Sequence, residues 1–283
     1  MMSLCAKDIR RRFDRAAAHF DEFDFVHAVT RDGLLARLEP MVVEANTIVD
    51  LGCATGTACK TLAKRFRGAR VIGVDQSVNM LRRAARKKPW LAKYSFTQAS
   101  ADAIPVADQS VDLVFCNQLL PWVDDVSLVF AEVNRVLRKD GLFIFASLGP
   151  DSFSELRHAW QASDHGVHVS HFPDMHDLGD AAVRTGLSDP VLDVDRLTVT
   201  YENTAALFRD LTGSAARNCL AERALFLTGK ERFAAMSREL QAPGSNATIQ
   251  LELELVYGHC WGSGPRARAG EVRIDPGRIG RRG

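Results

Sequence analysis

The sequence predicts an α/β fold, with a doubly wound, seven-stranded and mostly parallel sheet. Five short apolar runs rich in β-branched and aromatic residues alternate with helical segments, as in parallel strands joined by right-handed crossovers. These predicted strands are residues 47–51, 70–75, 94–98, 111–116 and 142–147. Two later strand-like runs, residues 192–201 and 248–257, complete the seven.

The segments around this core predict additional helices. Ile9, Phe13, Ala17 and Phe20 recur at three- or four-residue intervals among charges, so we expect two helices before the first strand. Helical patterns also occur at residues 204–211 and 231–240. We therefore divide the chain into three parts. An N-terminal helical cap covers residues 1–45, a main domain covers 46–262, and a flexible tail rich in Gly, Pro and Arg covers 263–283. Within the main domain, the core is 46–149, and the lid insertions and last strands are 150–262.

Composition favours a soluble globular protein. The 283 residues are 46% apolar, and 36 basic side chains nearly balance 35 acidic ones, so no overall charge favours nucleic acid or a membrane surface. The six cysteines lie apart, without the close pairs of zinc sites or small disulfide scaffolds. No signal peptide or bilayer-spanning stretch is evident. We expect a cytoplasmic protein without membrane or nucleic-acid partners.

A glycine-rich turn and a distant carboxylate indicate a nucleotide-type site. Residues 49–56, Val-Asp-Leu-Gly-Cys-Ala-Thr-Gly, end a predicted strand and open a helix, and glycine lets the backbone approach a ligand closely. The turn alone is a weak signal. Asp75 strengthens it, because this residue ends the next predicted strand and can accept hydrogen bonds from both ribose hydroxyls of a nucleoside cofactor.

Residues 47–148 resemble the class I methyltransferases, a Rossmann-like family. Beyond the turn, the similar motifs are residues 73–81, 103–105, 112–117 and 136–142. The resemblance implies S-adenosylmethionine as the cofactor; a nicotinamide-binding domain is the alternative. The implied cofactor-binding residues are Asp50, Gly52, Ala54, Gly56, Asp75, Gln76, Ser100, Ala101 and Asn117.

The resemblance also implies roles for most of these residues. Asp50 and Gly52 line the methionine end, Asp75 holds the ribose, Ser100 and Ala101 flank the adenine, and Asn117 lies near the methionine moiety. Two positions depart from the usual pattern. Ala54 replaces the middle glycine of the turn with a residue that adds one methyl group. Ser100 replaces a frequent aspartate, so the adenine contact loses charge assistance unless the nearby Asp102 substitutes.

Three regions outside the core resemble the malonyl-acyl-carrier-protein O-methyltransferases of biotin biosynthesis. They are residues 13–20, 149–156 and 256–262. The resemblance implies methyl transfer to the free carboxylate of a malonyl thioester, which primes pimelate synthesis, with an acidic acyl-carrier protein as transient partner. Alternatives are a related methyltransferase or hydroxylase of another small molecule or protein, and a cofactor-binding assembly protein without turnover.

This chemistry needs no general base, because a malonyl carboxylate with a pKa of roughly 4 is already ionised. We nominate no catalytic residue and expect catalysis by proximity in a closed site. Relatives commonly carry an arginine at the position of His171, so His171 is the first candidate contact for the substrate carboxylate. Arg157 and Arg15 are the others. Phe20 stands where many relatives have tyrosine, and ordinary helix packing explains it equally well.

Two further sets of residues have plainer explanations. His165, His168 and His171 recur every third residue without nearby cysteines, so we predict no metal site. A basic cluster after the second strand is typical of a solvated helix face, although it could also attract an acidic carrier protein. Its members are Arg82, Arg83, Arg86, Lys87 and Lys88. Trp122 is expected to pack beside the cofactor cleft.

Overall fold

Seven strands form one sheet in the order β3-β2-β1-β4-β5-β7-β6 in the computed structural model, which describes residues 3–164, 166–223, 228–241 and 248–264. The strands are β1 (Thr47–Leu51), β2 (Arg70–Asp75), β3 (Tyr94–Gln98), β4 (Val111–Asn117), β5 (Leu137–Leu148), β6 (Ser188–Tyr201) and β7 (Ile249–Trp261). Strands β1 to β5 pair in parallel, and β7 is antiparallel to both β5 and β6. The predicted seven-stranded, mostly parallel sheet is confirmed.

Helices cover both faces of the sheet, so the doubly wound prediction is also confirmed. Helices α2 (Phe25–Leu38), α3 (Thr57–Arg65) and α4 (Val78–Lys87) bury apolar side chains such as Leu34 and Leu62 against one face. Helices α5 (Val126–Val136) and α7 (Met175–Thr185) bury Phe130 and Leu178 against the other. The strand order reverses between β1 and β4, and ligands of such folds bind outside the carboxyl ends of the strands at this switch point.

The N-terminal helices are the two that the sequence predicts. Helix α1 (Ala6–Ala16) contacts α4 through Asp14, whose carboxylate accepts hydrogen bonds from the Ser77 hydroxyl at 2.6 Å and the Asn79 amide at 3.1 Å. Ser77 is the N-cap of α4, so both residues stabilise the start of that helix. Helix α1 is thereby held across the carboxyl edge of the sheet.

The stretch that we expected to be a lid insertion contains two helices with different positions. Helix α6 (Ser154–Gln161) lies outside the sheet layers. Helix α7 instead packs on the sheet, where Leu178 and Ala181 are fully buried beside α5. Helix α7 is thus a layer helix of the core, and the lid is smaller than the sequence analysis suggested.

The last two strands pair along a long antiparallel ladder that extends beyond β5. Pairing of β5 with β7 stops at Leu148 and Leu255, whereas β7 pairs with β6 as far as Ile249. This extension supports α6, α8 (Thr204–Gly213) and α9 (Lys230–Leu240), which pack around a small apolar cluster. We call these three helices and the extension the cap. No helix in the described ranges combines the length and apolar character needed to cross a membrane. Of the predicted tail, residues 265–283 lie outside the described residues.

Candidate active site

Two cavities meet at the carboxyl ends of β1 and β4. We call the first the cofactor cavity; it encloses about 1230 Å³ of space open to solvent and is lined by the glycine-rich turn, the end of β2 and α1. The second, the acceptor cavity, encloses about 1340 Å³ and lies between the sheet and the cap. The side chains that line both are His27, Gln118 and Trp122. We call these three residues the junction.

The glycine-rich turn presents its backbone to the cofactor cavity. The amides of Gly52 and Cys53 both donate to the Val74 carbonyl, at 2.8 and 3.0 Å, which ties the turn to β2. Gly52 has a φ of +77°, and a Cβ there would lie 3.0 Å from Cβ of Leu119. Glycine is therefore required at position 52 by conformation and by space.

Asp75 lies at the end of β2 and lines the cofactor cavity. One carboxylate oxygen accepts from the Ala54 amide at 2.9 Å and the other from the Ser77 amide at 2.8 Å. Burial raises the pKa of Asp75 to about 6, although these backbone hydrogen bonds oppose the shift. The carboxylate is held rigidly, and its remaining lone pairs are available to the ribose hydroxyls of a nucleoside. The cavity therefore fits the expected cofactor.

Seven of the nine predicted cofactor residues line this cavity: Gly52, Ala54, Asp75, Gln76, Ser100, Ala101 and Asn117. Asp102 lines it beside Ser100, where a carboxylate is available if the serine hydroxyl does not reach the adenine. The part of the cavity that the sequence analysis assigns to the adenine thus offers both a hydroxyl and an acid.

The other two predicted contacts, Asp50 and Gly56, do not line the cavity. Asp50 is 1% exposed beneath the turn, where it accepts a hydrogen bond from the Cys59 thiol at 3.0 Å, and burial raises its pKa to about 6. Gly56 begins α3 with a φ of +76°, and a Cβ there would lie 2.7 Å from the Phe96 ring. Asp50 lies in β1 before the turn and Gly56 at the start of α3 after it, so both residues flank the turn and do not line the cavity.

Ala54 adopts a φ of +45°, in the left-handed region that costs a non-glycine residue roughly 1–2 kcal/mol. Ala54→Gly should therefore raise the free energy of unfolding by up to about 1 kcal/mol, since glycine also loses more entropy on folding. Cofactor affinity should be kept, because the amide that donates to Asp75 remains. Denaturant unfolding and calorimetry measure the two quantities. Ala63→Gly, within α3, is the control, and its free energy of unfolding should fall by about 1 kcal/mol. A similar loss at position 54 would contradict the strain assignment.

The acceptor cavity is largely apolar, with walls from the sheet and the cap that include Leu148, Phe153 and Trp160. It contains one cation that the sequence analysis missed. Arg217 lines the cavity, and its guanidinium lies 4.8 Å from the centre of the Phe208 ring. Among the described residues, no carboxylate lies within ion-pairing distance of Arg217 or of its neighbour Arg12.

Burial and the positive charge of Arg12 both lower the pKa of Arg217, but a guanidinium remains protonated in proteins. The hydrogen bonds that it makes are weak substitutes for an anion; Nη1 donates to the Thr212 hydroxyl at 3.3 Å. Arg217 is thus a half-buried cation that lines a largely apolar cavity. The Asp210 carboxylate lines the same cavity and accepts from the Tyr201 hydroxyl at 2.7 Å, but it forms no ion pair with Arg217 among the described residues. No sequence signal identifies it, because it stands alone between Ala216 and Asn218 in an irregular segment.

The three predicted carboxylate contacts do not line the acceptor cavity. His171 and Arg157 line an outer groove that shares Trp160, His168 and Val169 with the acceptor cavity, and the His171 side chain is exposed. The next residue, Phe172, lines the acceptor cavity, so the preceding side chain in this irregular segment faces outward. Arg15 is exposed on α1 and lines neither of the two cavities. The structure thus gives no support to these three assignments.

Two of the three histidines of the triplet lie in the described residues. His168 bonds to the Asp164 carboxylate through Nε2 at 2.7 Å and stacks on the Trp160 ring at 3.8 Å. His171 is exposed, and His165 lies outside the described residues. No group of three or more ligating side chains occurs in the part of the chain that the structure describes.

The basic cluster has a partly structural role. Asp21, between α1 and α2, has a carboxylate that lies 2.8 Å from the Lys87 ammonium and 3.9 Å from the Arg83 guanidinium. Lys87 also donates to the Thr55 hydroxyl at 3.0 Å. Two of the five basic side chains therefore tie the N-terminal helices to α4 and the glycine-rich turn, while Arg82 and Arg86 stay exposed.

The junction combines aromatic walls with polar groups. As predicted, Trp122 packs beside the cofactor cleft, where it meets Phe13 edge-on at 5.4 Å. Phe20 is buried, lines the cofactor cavity and lies edge-on to His27 at 5.1 Å. Burial lowers the pKa of His27 to about 4, so the imidazole is neutral at physiological pH. Of these four side chains, His27 is the one that the sequence analysis missed.

Known proteins resemble the chain over its whole length. A methyltransferase domain family matches residues 49–145. The chain is 36% identical over 286 residues to the malonyl-[acyl-carrier protein] O-methyltransferase of Halorhodospira halophila, covering 99% of this chain and 97% of that protein. It is 35% identical over 249 residues to the protein of the same name from Legionella pneumophila, covering 86% and 87%.

Solved structures share the fold at low identity. The YcgJ protein of Bacillus subtilis superposes with a TM-score of 0.59 at 17% identity, covering 82% of this chain and 98% of that one. The geranyl diphosphate C-methyltransferase of Streptomyces coelicolor, in complex with S-adenosyl-L-homocysteine, gives 0.51 at 15% identity, covering 83% and 79%. These likenesses concern the fold, whereas the near full-length relatives decide the family. The chain belongs to the malonyl-[acyl-carrier protein] O-methyltransferase family and has the fold of the S-adenosylmethionine-dependent methyltransferases.

Proposed function

We propose that this chain transfers a methyl group from S-adenosylmethionine to the free carboxylate of a malonyl thioester carried by an acyl-carrier protein. The product is the methyl ester that primes pimelate synthesis in biotin biosynthesis. The observation that carries the proposal is the junction, the three residues that line both a cavity suited to a nucleoside cofactor and a largely apolar cavity containing Arg217. The family of the near full-length relatives agrees with this chemistry.

The protein's own residues bind, orient and exclude water. When bound, the cofactor supplies an electrophilic methyl group on a sulfonium sulfur. Asp75 and the glycine-rich turn hold the nucleoside, and the N-terminal helices cover it. The acceptor oxygen is already ionised, so no residue has to remove a proton, and the neutral His27 is not required as a base. The rate then comes from proximity and from a site closed to water.

Arg217 supplies the charge that this substrate requires. Moving an isolated carboxylate from water into an apolar cavity costs several kcal/mol unless a cation or a hydrogen-bond donor compensates. In our proposal Arg217, reinforced by Arg12, makes the acceptor cavity favourable for an anion. We assign to Arg217 the role that the sequence analysis gave to His171, Arg157 or Arg15.

The carrier protein and the compartment are further parts of the proposal. An acidic carrier would be attracted by the exposed arginines of α4, Arg82 and Arg86, which are not tied to Asp21. All six cysteines are free thiols in the structure. Free thiols of this number suit a reducing compartment, for which we propose the cytoplasm.

The purified protein should methylate malonyl-acyl-carrier protein and leave acetyl-acyl-carrier protein unmodified, since only the malonyl group presents a terminal carboxylate. Mass spectrometry of the carrier should show the gain of one methyl group, reversed by ester hydrolysis. Malonyl-coenzyme A, tested in parallel, separates recognition of the acyl group from recognition of the carrier. Methylation of bulk protein or RNA with the malonyl carrier untouched would refute the proposed substrate.

A further inference from the structure

Gln118 occupies the point through which the methyl group has to pass. Its side chain lines both cavities, together with His27 and Trp122. In a direct transfer, the attacking oxygen lies within about 3–3.5 Å of the methyl carbon. The acceptor oxygen must therefore lie among these three side chains, wherever the rest of the substrate extends.

The side-chain amide of Gln118 has an unused hydrogen-bond donor. Gln118 is 5% exposed, and its buried Nε2 has no hydrogen-bond partner in the structure. Buried amide groups are nearly always paired, so an unpaired donor on a residue that lines two cavities points to a ligand that completes it. Nδ1 of His27 is also buried without a partner, so the junction offers a second neutral group beside the amide.

The backbone fixes the position of this amide. Gln118 follows the last residue of β4 with a φ of +57°, and its N–H donates to the Ala146 carbonyl of β5 at 2.9 Å. The adjacent Asn117 donates from Nδ2 to the His27 carbonyl at 2.9 Å. Gln118 is therefore held by two strands and by α2 in a conformation that a non-glycine residue rarely adopts, as is frequent at functional sites.

We propose that the Gln118 amide donates a hydrogen bond to the non-attacking oxygen of the acceptor carboxylate and so directs the other oxygen at the methyl group. This inference rests on the proposed function. A bidentate arginine at the junction would engage both oxygens and reduce their nucleophilicity, whereas one neutral donor engages one oxygen. Arg217 compensates the negative charge of the carboxylate, and Gln118 orients its attacking oxygen. Gln118 thus becomes a specificity-determining residue for carboxylate acceptors.

Two substitutions test this role. Gln118→Asn suits the left-handed backbone but withdraws the amide, and we expect kcat/KM for malonyl-acyl-carrier protein to fall about tenfold or more. Gln118→Glu keeps the size of the side chain but places a carboxylate beside the acceptor, and we expect a loss of about a hundredfold or more. Both variants should bind S-adenosylhomocysteine within about twofold of the wild-type affinity. Gln161→Leu, at an exposed position of α6, is the control and should leave kcat/KM unchanged.

The outcomes separate this inference from the proposed function. A wild-type protein that does not methylate the malonyl carrier refutes the function, and the inference falls with it. An active wild type together with Asn and Glu variants of unchanged kcat/KM refutes the inference alone. Loss of S-adenosylhomocysteine affinity in calorimetry, equal to the loss of kcat/KM, would assign the amide to the cofactor and also overturn the inference. Circular dichroism confirms that the compared variants are folded.

Discussion

Asp75→Ala is expected to weaken binding of S-adenosylmethionine and of S-adenosylhomocysteine by tenfold or more. The substitution removes two charge-assisted contacts to the ribose, each worth about 1.5–3 kcal/mol. It also leaves the Ala54 and Ser77 amides without the carboxylate that now accepts from them. Titration calorimetry measures the effect. Asp180→Ala, an exposed carboxylate on α7, should bind both ligands normally. Unchanged affinity in the Asp75 variant would remove Asp75 from the ribose site.

The pH dependence of binding provides a second control on the same assignment. Burial raises the pKa of Asp75 to about 6 in the free protein, and ribose hydroxyls donate to the ionised carboxylate. Binding therefore favours the deprotonated form. Cofactor affinity should be constant above pH 7 and begin to fall near pH 6. At lower pH the decrease should approach about tenfold per pH unit. Asp75→Asn should lose this dependence. A wild-type affinity that is flat from pH 5 to 7 would contradict the assignment.

The cofactor half of the site was predictable because it depends on local backbone features. A tight turn after β1 requires glycine at position 52, and an acidic residue at the end of β2 lies beside that turn in any sheet with this strand order. Both features have fixed positions relative to the strands, so the sequence alone can locate them. The two predicted contacts that do not line the cavity, Asp50 and Gly56, lie near the end of β1 and at the start of α3, where one position along the chain decides whether a side chain faces the ligand or the core.

The acceptor half was not predictable, since it is built from segments far apart in the sequence. Gln118 follows β4, His27 is on α2, and Arg217 lies after α8. The sequence analysis nominated Asn117 but not its neighbour Gln118, because the positive φ that places Gln118 at the junction is visible only in the structure. His171 was nominated because it occupies a position where relatives commonly carry an arginine, and this residue lines the outer groove.

The lid was overestimated for a related reason. Residues 150–191 look like an insertion in the sequence because the predicted sixth strand begins at residue 192. In the structure α7 covers the sheet beside α5, and β6 begins at Ser188. The apolar periodicity of a layer helix and of a lid helix is the same, because both bury one face. Only the packing partner distinguishes them.

Arg217→Ala is expected to lower kcat/KM for the malonyl carrier by about a hundredfold, mainly through KM, while S-adenosylhomocysteine affinity stays within about twofold. The reason is that an anion enters an apolar cavity, and losing the partner of a buried charge typically costs about 3–5 kcal/mol, of which partial exposure of this side chain removes a part. Arg217→Lys should keep some of the activity, because it retains the charge without the planar fork. Steady-state kinetics and calorimetry separate substrate binding from cofactor binding.

The matched controls for Arg217 are the residues that the sequence nominated. His171→Ala and Arg15→Ala should leave KM for the malonyl carrier unchanged between pH 6 and 8.5, because both side chains are exposed and neither lines the acceptor cavity. A KM for wild type that rises with pH and becomes independent of pH in His171→Ala would instead restore His171 as the carboxylate partner. Normal kinetics of Arg217→Ala would also overturn the assignment of Arg217. If the substrate binds equally well without this cation, another group must stabilise its carboxylate.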